Sequence, residues 1–338
     1  MRARSLAAGL ALAGLAAVTG CASTSGGSGD GSSGTDLSVV GFSVLEAANE
    51  PVFADFEKTD AGKDVTITTS YGASGDQSRA VKYGLPADVV TFSLAPDVTR
   101  LVDAGLVDPG WAQGHTHGMV TRSVVVFLVR KGNPKHVRTW DDLVRPGIQV
   151  LSPNPFISGG ARWNVMAAYG AQLAAGRSAA QAEAYLEALL RHVVVQPKSA
   201  REMLQAFAGG KGDVALAYEN EAITARRKGE AVDYVVPDAT ILIENPIAVV
   251  KRSRHAAQAQ AFVDYLLTAP AQRIFAKHGY RPVDDTVAAE NAATFPVPRA
   301  LFTIADLGGW PEAMRRFFDR HGGIVARIDR SLGVATSG

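Results

Sequence analysis

The chain of 338 residues contains a single cysteine, Cys21, so no disulfide can form within it. It also lacks an excess of charge of one sign, because 34 lysine and arginine residues face 33 aspartate and glutamate residues. This balance provides no basic stripe of the kind that nucleic-acid-binding proteins present. No apolar run after the first 20 residues is long enough to form a transmembrane helix. The hydrophobic content of 47% is sufficient for a large core and for more than one domain.

The first 20 residues have the pattern of a secretory signal. Arg2 and Arg4 precede an apolar run, 6–18, that is too short to span a membrane stably. The sequence VTGC, which ends at Cys21, resembles the lipobox of bacterial lipoproteins. It predicts cleavage before Cys21, a lipid on its sulfur and anchoring at the outer face of the cytoplasmic membrane. The Ser/Gly-rich residues 21–36 then predict a flexible tether. A plain secretory signal with an incidental cysteine is the alternative.

Short apolar strands alternate with helical patterns through most of the chain, as they do between residues 37 and 104. This alternation predicts an α/β protein with doubly wound parallel sheets. Two long β-rich runs, 120–130 and 241–250, are placed to carry the chain between two lobes, although Asn245 and Pro246 interrupt the second run. We therefore expect a two-lobed fold in which each lobe is a doubly wound sheet and extended crossings form a hinge.

These patterns divide the chain into six segments. They are a signal peptide at 1–20, the tether at 21–36, a first lobe at 37–119, a second lobe at 120–246, a return to the first lobe at 247–300, and C-terminal helices at 301–338. The pattern does not assign the C-terminal helices to a lobe. Ligand sites of open α/β sheets lie at the carboxyl ends of the strands, so we expect a site in the cleft between the lobes.

The most informative stretch is SPNPFISGGARWN (152–164), which follows an apolar strand pattern and precedes a helical one. Ser158, Gly159 and Gly160 are therefore expected at a helix N-terminus. The first amides of a helix have no internal partner and lie at the positive end of the helix dipole. Glycine lets an anion approach these amides without a Cβ in the way. The stretch favours an anion site, although an ordinary strand-to-helix turn would show the same pattern.

A second stretch, TSYGASGDQ (69–77), repeats this arrangement. A strand pattern at 65–69 precedes it, and a helical pattern follows. Ser74 and Gly75 are expected to begin this helix, as Ser158 and Gly159 do in the first stretch. Two loops of one kind in different parts of the chain suggest two walls of one anion pocket.

With these two stretches and five others, the chain resembles the periplasmic sulfate-binding proteins of ABC importers. The motifs follow family order from about residue 70 to residue 310, and they are SYGASGDQ, ADVVTFSLAPDV, VVFLVRKGNP, WDDLVRPG, SPNPFISGGARWN, GDVALAYENEA and LFTIADLGGW. The resemblance implies an extracytoplasmic sulfate receptor that is not an enzyme and needs no cofactor. It also implies a monomer that delivers the anion to an ABC permease driven by a cytoplasmic ATPase.

Sulfate at neutral pH carries no proton, so its four oxygens accept hydrogen bonds and donate none. The resemblance implies a pocket that offers backbone amides, serine hydroxyls and an indole, with no opposing charge in contact with the ion. Carried over by position, Ser158 would donate its hydroxyl, and Gly159 and Gly160 would donate their amides. Ser74 would donate from the opposite lobe.

Four further positions are carried over in the same way. The amide of Ala200 matches a donor at another helix start, and Arg201 would bond the backbone behind the site. Ser43 stands where the family has an aspartate whose amide donates, so the amide of Ser43 can serve. Tyr218 stands where the family usually has a tryptophan. Because a phenol can accept as well as donate, a receptor for thiosulfate or molybdate is the alternative function.

Other classes of protein fit the sequence less well. A serine hydrolase could use Ser74 or Ser158 as its nucleophile, but neither lies in a G-x-S-x-G elbow and no base stands out. The spacing of His115 and His117 could place both rings on one strand face as metal ligands, but further ligands are not evident. We therefore predict no metal site. A phosphate receptor would need a hydrogen-bond acceptor in its pocket.

Overall fold

The computed structural model describes residues 34–336. The predicted signal peptide, Cys21 and most of the predicted tether lie outside the described residues. The first strand begins at Thr35, so the last positions assigned to the tether are already part of the fold. Among residues 34–336, no helix combines the length and the hydrophobicity that a membrane span requires.

The described residues form ten strands and twelve α-helices. The strands are β1 (Thr35–Phe42), β2 (Val65–Gly72), β3 (Val89–Thr91), β4 (Met119–Arg130), β5 (Val150–Leu151), β6 (Val193–Val195), β7 (Val214–Tyr218), β8 (Val232–Val235), β9 (Ala239–Val249) and β10 (Ala300–Phe302). The helices are α1 (Glu46–Phe56), α2 (Ser74–Lys82), α3 (Ala95–Asp103), α4 (Gly159–Ala174), α5 (Ala179–His192), α6 (Ala200–Ala208), α7 (Glu219–Arg227), α8 (Ala256–Leu266), α9 (Ala269–Lys277), α10 (Asp285–Glu290), α11 (Gly309–Arg316) and α12 (Ile324–Ser331). A short 3-10 helix, Ser43–Leu45, follows β1.

Two groups of parallel strands form the centres of the two lobes. In the first lobe, β1 lies between β2 and β3 and is parallel to both. In the second lobe, β5 lies between β6 and β7 and is parallel to both. The predicted two-lobed α/β fold is confirmed. The sheets are mixed rather than wholly parallel, because β9 joins the first group antiparallel to β3 and β4 joins the second antiparallel to β7.

Strands β4 and β9 are the crossings between the lobes. They pair with each other near the middle of the molecule, and each then continues into a lobe. In β4, Val125 lies opposite Tyr218 of β7, whereas in β9, Ile247 lies opposite Thr91 of β3. Strand β4 is buried along most of its length, and its valine-rich run suits a strand that is covered on both faces.

Proline does not break the second crossing, contrary to the interruption expected at Asn245 and Pro246. Pro246 lies opposite Met119, next to a register shift in the β4–β9 pair. A bulge of this kind tolerates a residue without an N–H group. The carbonyl oxygen of Pro246 still accepts from the Phe92 amide at 3.0 Å. Besides the two crossing strands, a third backbone pairing between the lobes forms where Arg281 pairs with Arg122 of β4.

The C-terminal helices, which the sequence pattern assigned to no lobe, pack on the second lobe. Trp310 of α11 makes an edge-to-face contact with Trp163 of α4, with ring centroids 4.7 Å apart. Near the C-terminus, the side-chain Nδ2 of Asn154 donates to the Ala335 carbonyl at 2.9 Å. Helices α11 and α12 therefore cover the outer side of α4 and α5.

The C-terminal segment was expected to be helical from 301 onward, but it starts with strand β10. Phe302 ends this strand, and its ring occupies the space in which a Cβ on Gly170 of α4 would lie. The small side chain at Gly170 therefore allows β10 to pack directly against α4. No local pattern at 300–302 reports this contact.

The carboxyl ends of the parallel strands of both lobes meet at one place. In the first lobe, β1 ends at Phe42 and β2 ends at Gly72, and helical turns begin immediately after them. In the second lobe, β5 ends at Leu151 and β7 ends at Tyr218. Helix N-termini from the two lobes therefore point toward each other across the cleft, as open α/β sheets arrange their sites.

Candidate functional site

A small cavity lies where the two sets of strand ends meet. All seven residues predicted to bind the ligand line it: Ser43, Ser74, Ser158, Gly159, Gly160, Ala200 and Tyr218. Six residues without a predicted role complete the lining: Phe42, Val44, Gly72, Ala73, Ser93 and Ser199. The fold therefore brings together side chains and amides from distant parts of the sequence and from both lobes.

The cavity is the size of one small ion. Its volume is about 10 Å³ for the centre of a water-sized sphere. Widened by the water radius of about 1.4 Å, this volume corresponds to a cavity of about 2.7 Å in radius. A sugar, an amino acid or a di-acid would not fit in this closed arrangement.

Several helices begin at this cavity. The first residues of α2, α4 and α6 are Ser74, Gly159 and Ala200, and the 3-10 helix starts at Ser43. The first amides of each helix lack an intrahelical acceptor and carry partial positive charge. None of the described residues that line the cavity has a charged side chain. The site is therefore electropositive through its backbone dipoles and offers donors without a counter-cation.

Helix α4 forms the wall of the second lobe and lies very close to the first lobe. Ser158 is the N-cap residue, as predicted, but its side chain makes no capping hydrogen bond to its own helix. The buried hydroxyl can therefore be directed to a molecule in the cavity. A Cβ on Gly159 would lie 2.8 Å from Leu94 Cδ2 and from Ser93 Cβ, across the cleft. Position 159 therefore requires glycine when the lobes are closed.

On the first lobe, Ser74 is the first residue of α2, and its N-cap is Ala73. Its hydroxyl donates to Asp97 at 2.6 Å and accepts from the Ser93 amide at 3.0 Å. The hydroxyl proton that was predicted to meet the ligand is thus directed at a buried carboxylate. The donor that Ser74 can offer the cavity is its backbone amide. The second oxygen of Asp97 accepts from Arg100 at 2.7 Å, so this carboxylate is balanced inside the first lobe.

Tyr218 closes the cavity from the second lobe. It is buried, and its phenol lies 2.7 Å from the hydroxyl of Ser93 on the first lobe. Burial raises the pKa of Tyr218 well above its usual range, so the phenol keeps its proton. Ser93 was missed by the sequence analysis, although it lies in the quoted motif ADVVTFSLAPDV. Its position directly after a strand, like that of Ser43, was the available signal.

Behind the cavity, two charged side chains hold the backbone of the site. Arg201 donates to the Ser43 carbonyl of the other lobe at 3.2 Å and pairs with Glu46. Glu221 is buried and accepts from the Tyr218 amide at 3.1 Å. Burial raises the pKa of Glu221 to about 7, against a lowering by that amide and by Arg201. The Glu221 carboxyl therefore lies directly behind the part of the cavity wall that Tyr218 forms.

The two histidines considered as metal ligands lie in a turn before β4, not on a strand face. His117 has a positive φ of 52°, which places its backbone in the left-handed region. Among residues 34–336, no group of three or more His, Cys, Asp or Glu side chains is arranged to hold a metal ion. Cys21, the predicted lipidation site, lies outside the described residues.

Comparison with known proteins shows the family of the chain. Residues 37–281 match the family model described as "Bacterial extracellular solute-binding protein". A sulfate-binding protein of Synechococcus elongatus is 40% identical over 306 residues, which cover 88% of this chain and 87% of that protein. A thiosulfate-binding protein of Pseudomonas aeruginosa is 34% identical over 287 residues, which cover 82% of this chain and 86% of that protein.

A solved structure is also similar. The sulfate-binding protein SubI from Mycobacterium tuberculosis H37Rv is 47% identical, with a TM-score of 0.83 over 84% of this chain and 100% of that chain. The resemblance predicted from the motifs is thereby confirmed. The chain belongs to the family of bacterial extracellular solute-binding proteins, which are receptors rather than catalysts.

Proposed function

We propose that this protein is an extracytoplasmic receptor that binds one sulfate ion between its lobes and delivers it to an ABC permease. The observation that carries the proposal is the cavity in which the N-termini of α2, α4 and α6 converge without a charged side chain. Relatives named as sulfate-binding proteins, 38–40% identical over most of the chain, support the choice of anion. The donors are the amides of Ser43, Ser74, Gly159, Gly160 and Ala200 and the hydroxyls of Ser158 and of the Ser93–Tyr218 pair.

The chemistry of the wall favours a fully deprotonated anion. The oxygens of sulfate only accept, so each amide or hydroxyl that points inward finds an acceptor. Hydrogen phosphate carries a proton and would need an acceptor there, and an unpaired buried donor costs about 1–3 kcal/mol. No carboxylate lines the cavity to take that proton.

Binding is proposed to act by closing the cleft. The lobes, with bounds 37–119 and 120–246 and the first-lobe return at 247–300, would move about the β4 and β9 crossings. A ligand held by both lobes stabilises the closed state because it binds that state better than the open one. The closed form would then be the one that docks on the permease, with a cytoplasmic ATPase driving release.

The same proposal includes the anchor. Cleavage before Cys21 and attachment of lipid to its sulfur would tether a monomeric receptor to the outer face of the membrane through residues 21–34. A protein with Cys21→Ala is expected to be found in the soluble extracytoplasmic fraction, whereas the unchanged protein partitions into detergent. Recovery of both proteins in the soluble fraction would remove the anchor from the account and leave the binding site untouched.

Calorimetric titration of the chain from Ala22 onward tests the function. Sulfate is expected to bind one to one with a dissociation constant near 1 μM, equivalent to about −8 kcal/mol. Phosphate is expected to produce no heat of binding. If thiosulfate or molybdate binds at least tenfold more tightly than sulfate, the pocket stands and the ligand assignment is wrong. No heat of binding with sulfate, thiosulfate, molybdate or phosphate would contradict the receptor function itself.

The affinity for sulfate should depend on pH through Glu221. Burial raises the pKa of this carboxyl to about 7 in the protein without ligand, and a dianion in the adjacent cavity should raise it further. Binding then takes up a proton, so the affinity increases as the pH falls from about 8.5 to 6. If bound sulfate raises the pKa of Glu221 by about one unit, the affinity for sulfate should change about tenfold across this pH range. Titrations across this range should show the trend in the wild type and a flat profile in Glu221→Gln.

A further inference from the structure

Ser93 is the point at which the closed lobes are joined beside the cavity. Ser93 follows β3 of the first lobe and is buried. Its carbonyl oxygen accepts from the Trp163 indole at 2.7 Å and from the side-chain Nδ2 of Asn245 at 3.1 Å. Trp163 belongs to α4 of the second lobe, and Asn245 belongs to the crossing strand β9. The hydroxyl of Ser93 lies 2.7 Å from the phenol of Tyr218 in the second lobe.

The backbone of Ser93 is fixed from the side of the first lobe as well. Its amide donates to the hydroxyl of Ser74 at 3.0 Å, and that hydroxyl donates to Asp97 at 2.6 Å. Every polar atom of Ser93 therefore has a partner, and three of its four hydrogen bonds lead to the second lobe or to the crossing. Two of the partners of Ser93, Trp163 and Asn245, do not line the cavity.

The direction of the proton between Ser93 and Tyr218 matters for the ligand. The two hydroxyls carry two protons, and the bond between them uses one. Both residues line the cavity, so the second proton can be directed at an anion there. Whichever hydroxyl donates to the other, the pair presents one donor to the ligand. An isolated phenol would be free to turn away from the cavity and also to accept.

We propose that Ser93 is the latch of the cleft and the positioning residue for Tyr218. Its side chain holds the phenol across the cleft, so that the lobes stay closed and one hydroxyl proton of the pair faces the bound anion. The orientation of a hydroxyl proton toward the anion rests on the proposed sulfate function, whereas the latch between the lobes can be observed in the protein without ligand.

Hydrogen exchange at the Trp163 indole, followed by NMR in ligand-free protein, tests the latch. This N–H is bonded across the cleft, so its exchange requires the lobes to open. Ser93→Ala removes the hydroxyl and keeps the carbonyl that accepts from Trp163. Loss of one neutral hydrogen bond should increase the open population, and hence the exchange rate, about three- to tenfold. Tyr218→Phe removes the same bond from the other side and should have an effect of similar size.

Two controls separate the latch from a general loss of stability. The Trp140 indole donates to the Ala239 carbonyl inside the second lobe at 2.8 Å, and its exchange rate should not change. Ser70→Ala removes a hydroxyl that bonds to Gln77 within the first lobe, and it should leave the Trp163 rate unchanged. Unchanged Trp163 exchange in both Ser93→Ala and Tyr218→Phe, or equal acceleration at Trp140, would overturn the latch.

Sulfate titration of the same variants reports on the two proposals separately. If Ser93 positions the phenol of Tyr218, Ser93→Ala should weaken sulfate binding about three- to tenfold, because the donor that the pair presents to the anion is no longer held in place. Accelerated Trp163 exchange in the two variants, together with a wild-type protein that binds no sulfate, would support the latch and contradict the proposed ligand. Weakened binding with unchanged exchange would make Ser93 a direct ligand contact and would overturn its role as a latch.

Discussion

Gly159→Ala is expected to abolish tight anion binding while the lobes still fold. The added Cβ would lie 2.8 Å from Leu94 Cδ2 and Ser93 Cβ, atoms of the opposite lobe. In the open state this space is free, so the added methyl group collides with the first lobe only when the cleft closes. Ser93 Oγ would lie 2.9 Å from the same Cβ, so three atoms obstruct one methyl group. Overpacking costs of about 1–3 kcal/mol correspond to a loss of affinity of about five- to hundredfold, and we expect the upper end of this range. Calorimetric titration with sulfate measures the loss.

Gly75→Ala is the matched variant for this prediction. A Cβ there would lie 2.8 Å from the carbonyl oxygen of Ile157 in the other lobe, yet Gly75 does not line the cavity. If closure is what binding requires, both variants should lose affinity with little change in the unfolding temperature. Gly322→Ala, in a loop where the nearest atom would be 3.7 Å away, should bind as the wild type does. Unimpaired binding by Gly159→Ala would mean that the lobes need not approach this closely.

Glu219→Gln is expected to produce the largest loss of stability among single changes outside the apolar core. Glu219 begins α7 and accepts from both Arg281 Nε at 2.7 Å and Arg281 Nη2 at 3.0 Å. The Glu219 and Arg281 side chains are 1% and 9% exposed, so water cannot compensate for the lost carboxylate charge. Removing one member of a buried pair leaves an uncompensated charge and costs about 3–5 kcal/mol. Urea unfolding followed by tryptophan fluorescence measures the change in the free energy of unfolding.

The pair Arg273–Glu290 provides the control for this variant. It has the same bidentate geometry, at 2.8 and 2.6 Å, but its side chains are 46% and 41% exposed. Glu290→Gln should therefore change the free energy of unfolding by about 0–1 kcal/mol. Equal effects of the two substitutions would contradict the view that the Glu219–Arg281 pair holds the third inter-lobe contact at Arg281 through its burial.

The parts of the site that sequence analysis could predict are those set by local chemistry. Ser158-Gly159-Gly160 reads as a helix start because capping preferences and the adjacent helical pattern act over a few residues. The strand before Ser74 follows from its β-branched residues, and the strand that ends at Tyr218 follows from an apolar run. Parallel strands then place these loops at one edge of each sheet, so a shared pocket follows from topology.

The parts that could not be predicted depend on contacts between distant segments. Ser93 and Tyr218 are 125 positions apart, and only the closed arrangement of the lobes brings their hydroxyls together. The hydroxyl of Ser74 is directed at Asp97, a partner in the next helix that no local pattern marks. Strand β10 pairs with β9, more than 50 positions away, and Gly170 leaves room for its last residue, Phe302. In each case packing between distant segments determined a contact that the local sequence pattern does not specify.

The most direct test of the account is to locate the anion. Selenate has the shape and charge of sulfate, and its selenium scatters anomalously, so a crystal grown with selenate shows the position of the ion without a model of the ligand. The account predicts one anomalous peak in the cavity, with oxygens about 2.7–3.2 Å from the amides of Gly159 and Gly160 and from the hydroxyl of Ser158. An empty cavity, or a peak bound at another surface, would contradict the central claim that the converging helix starts form the binding site.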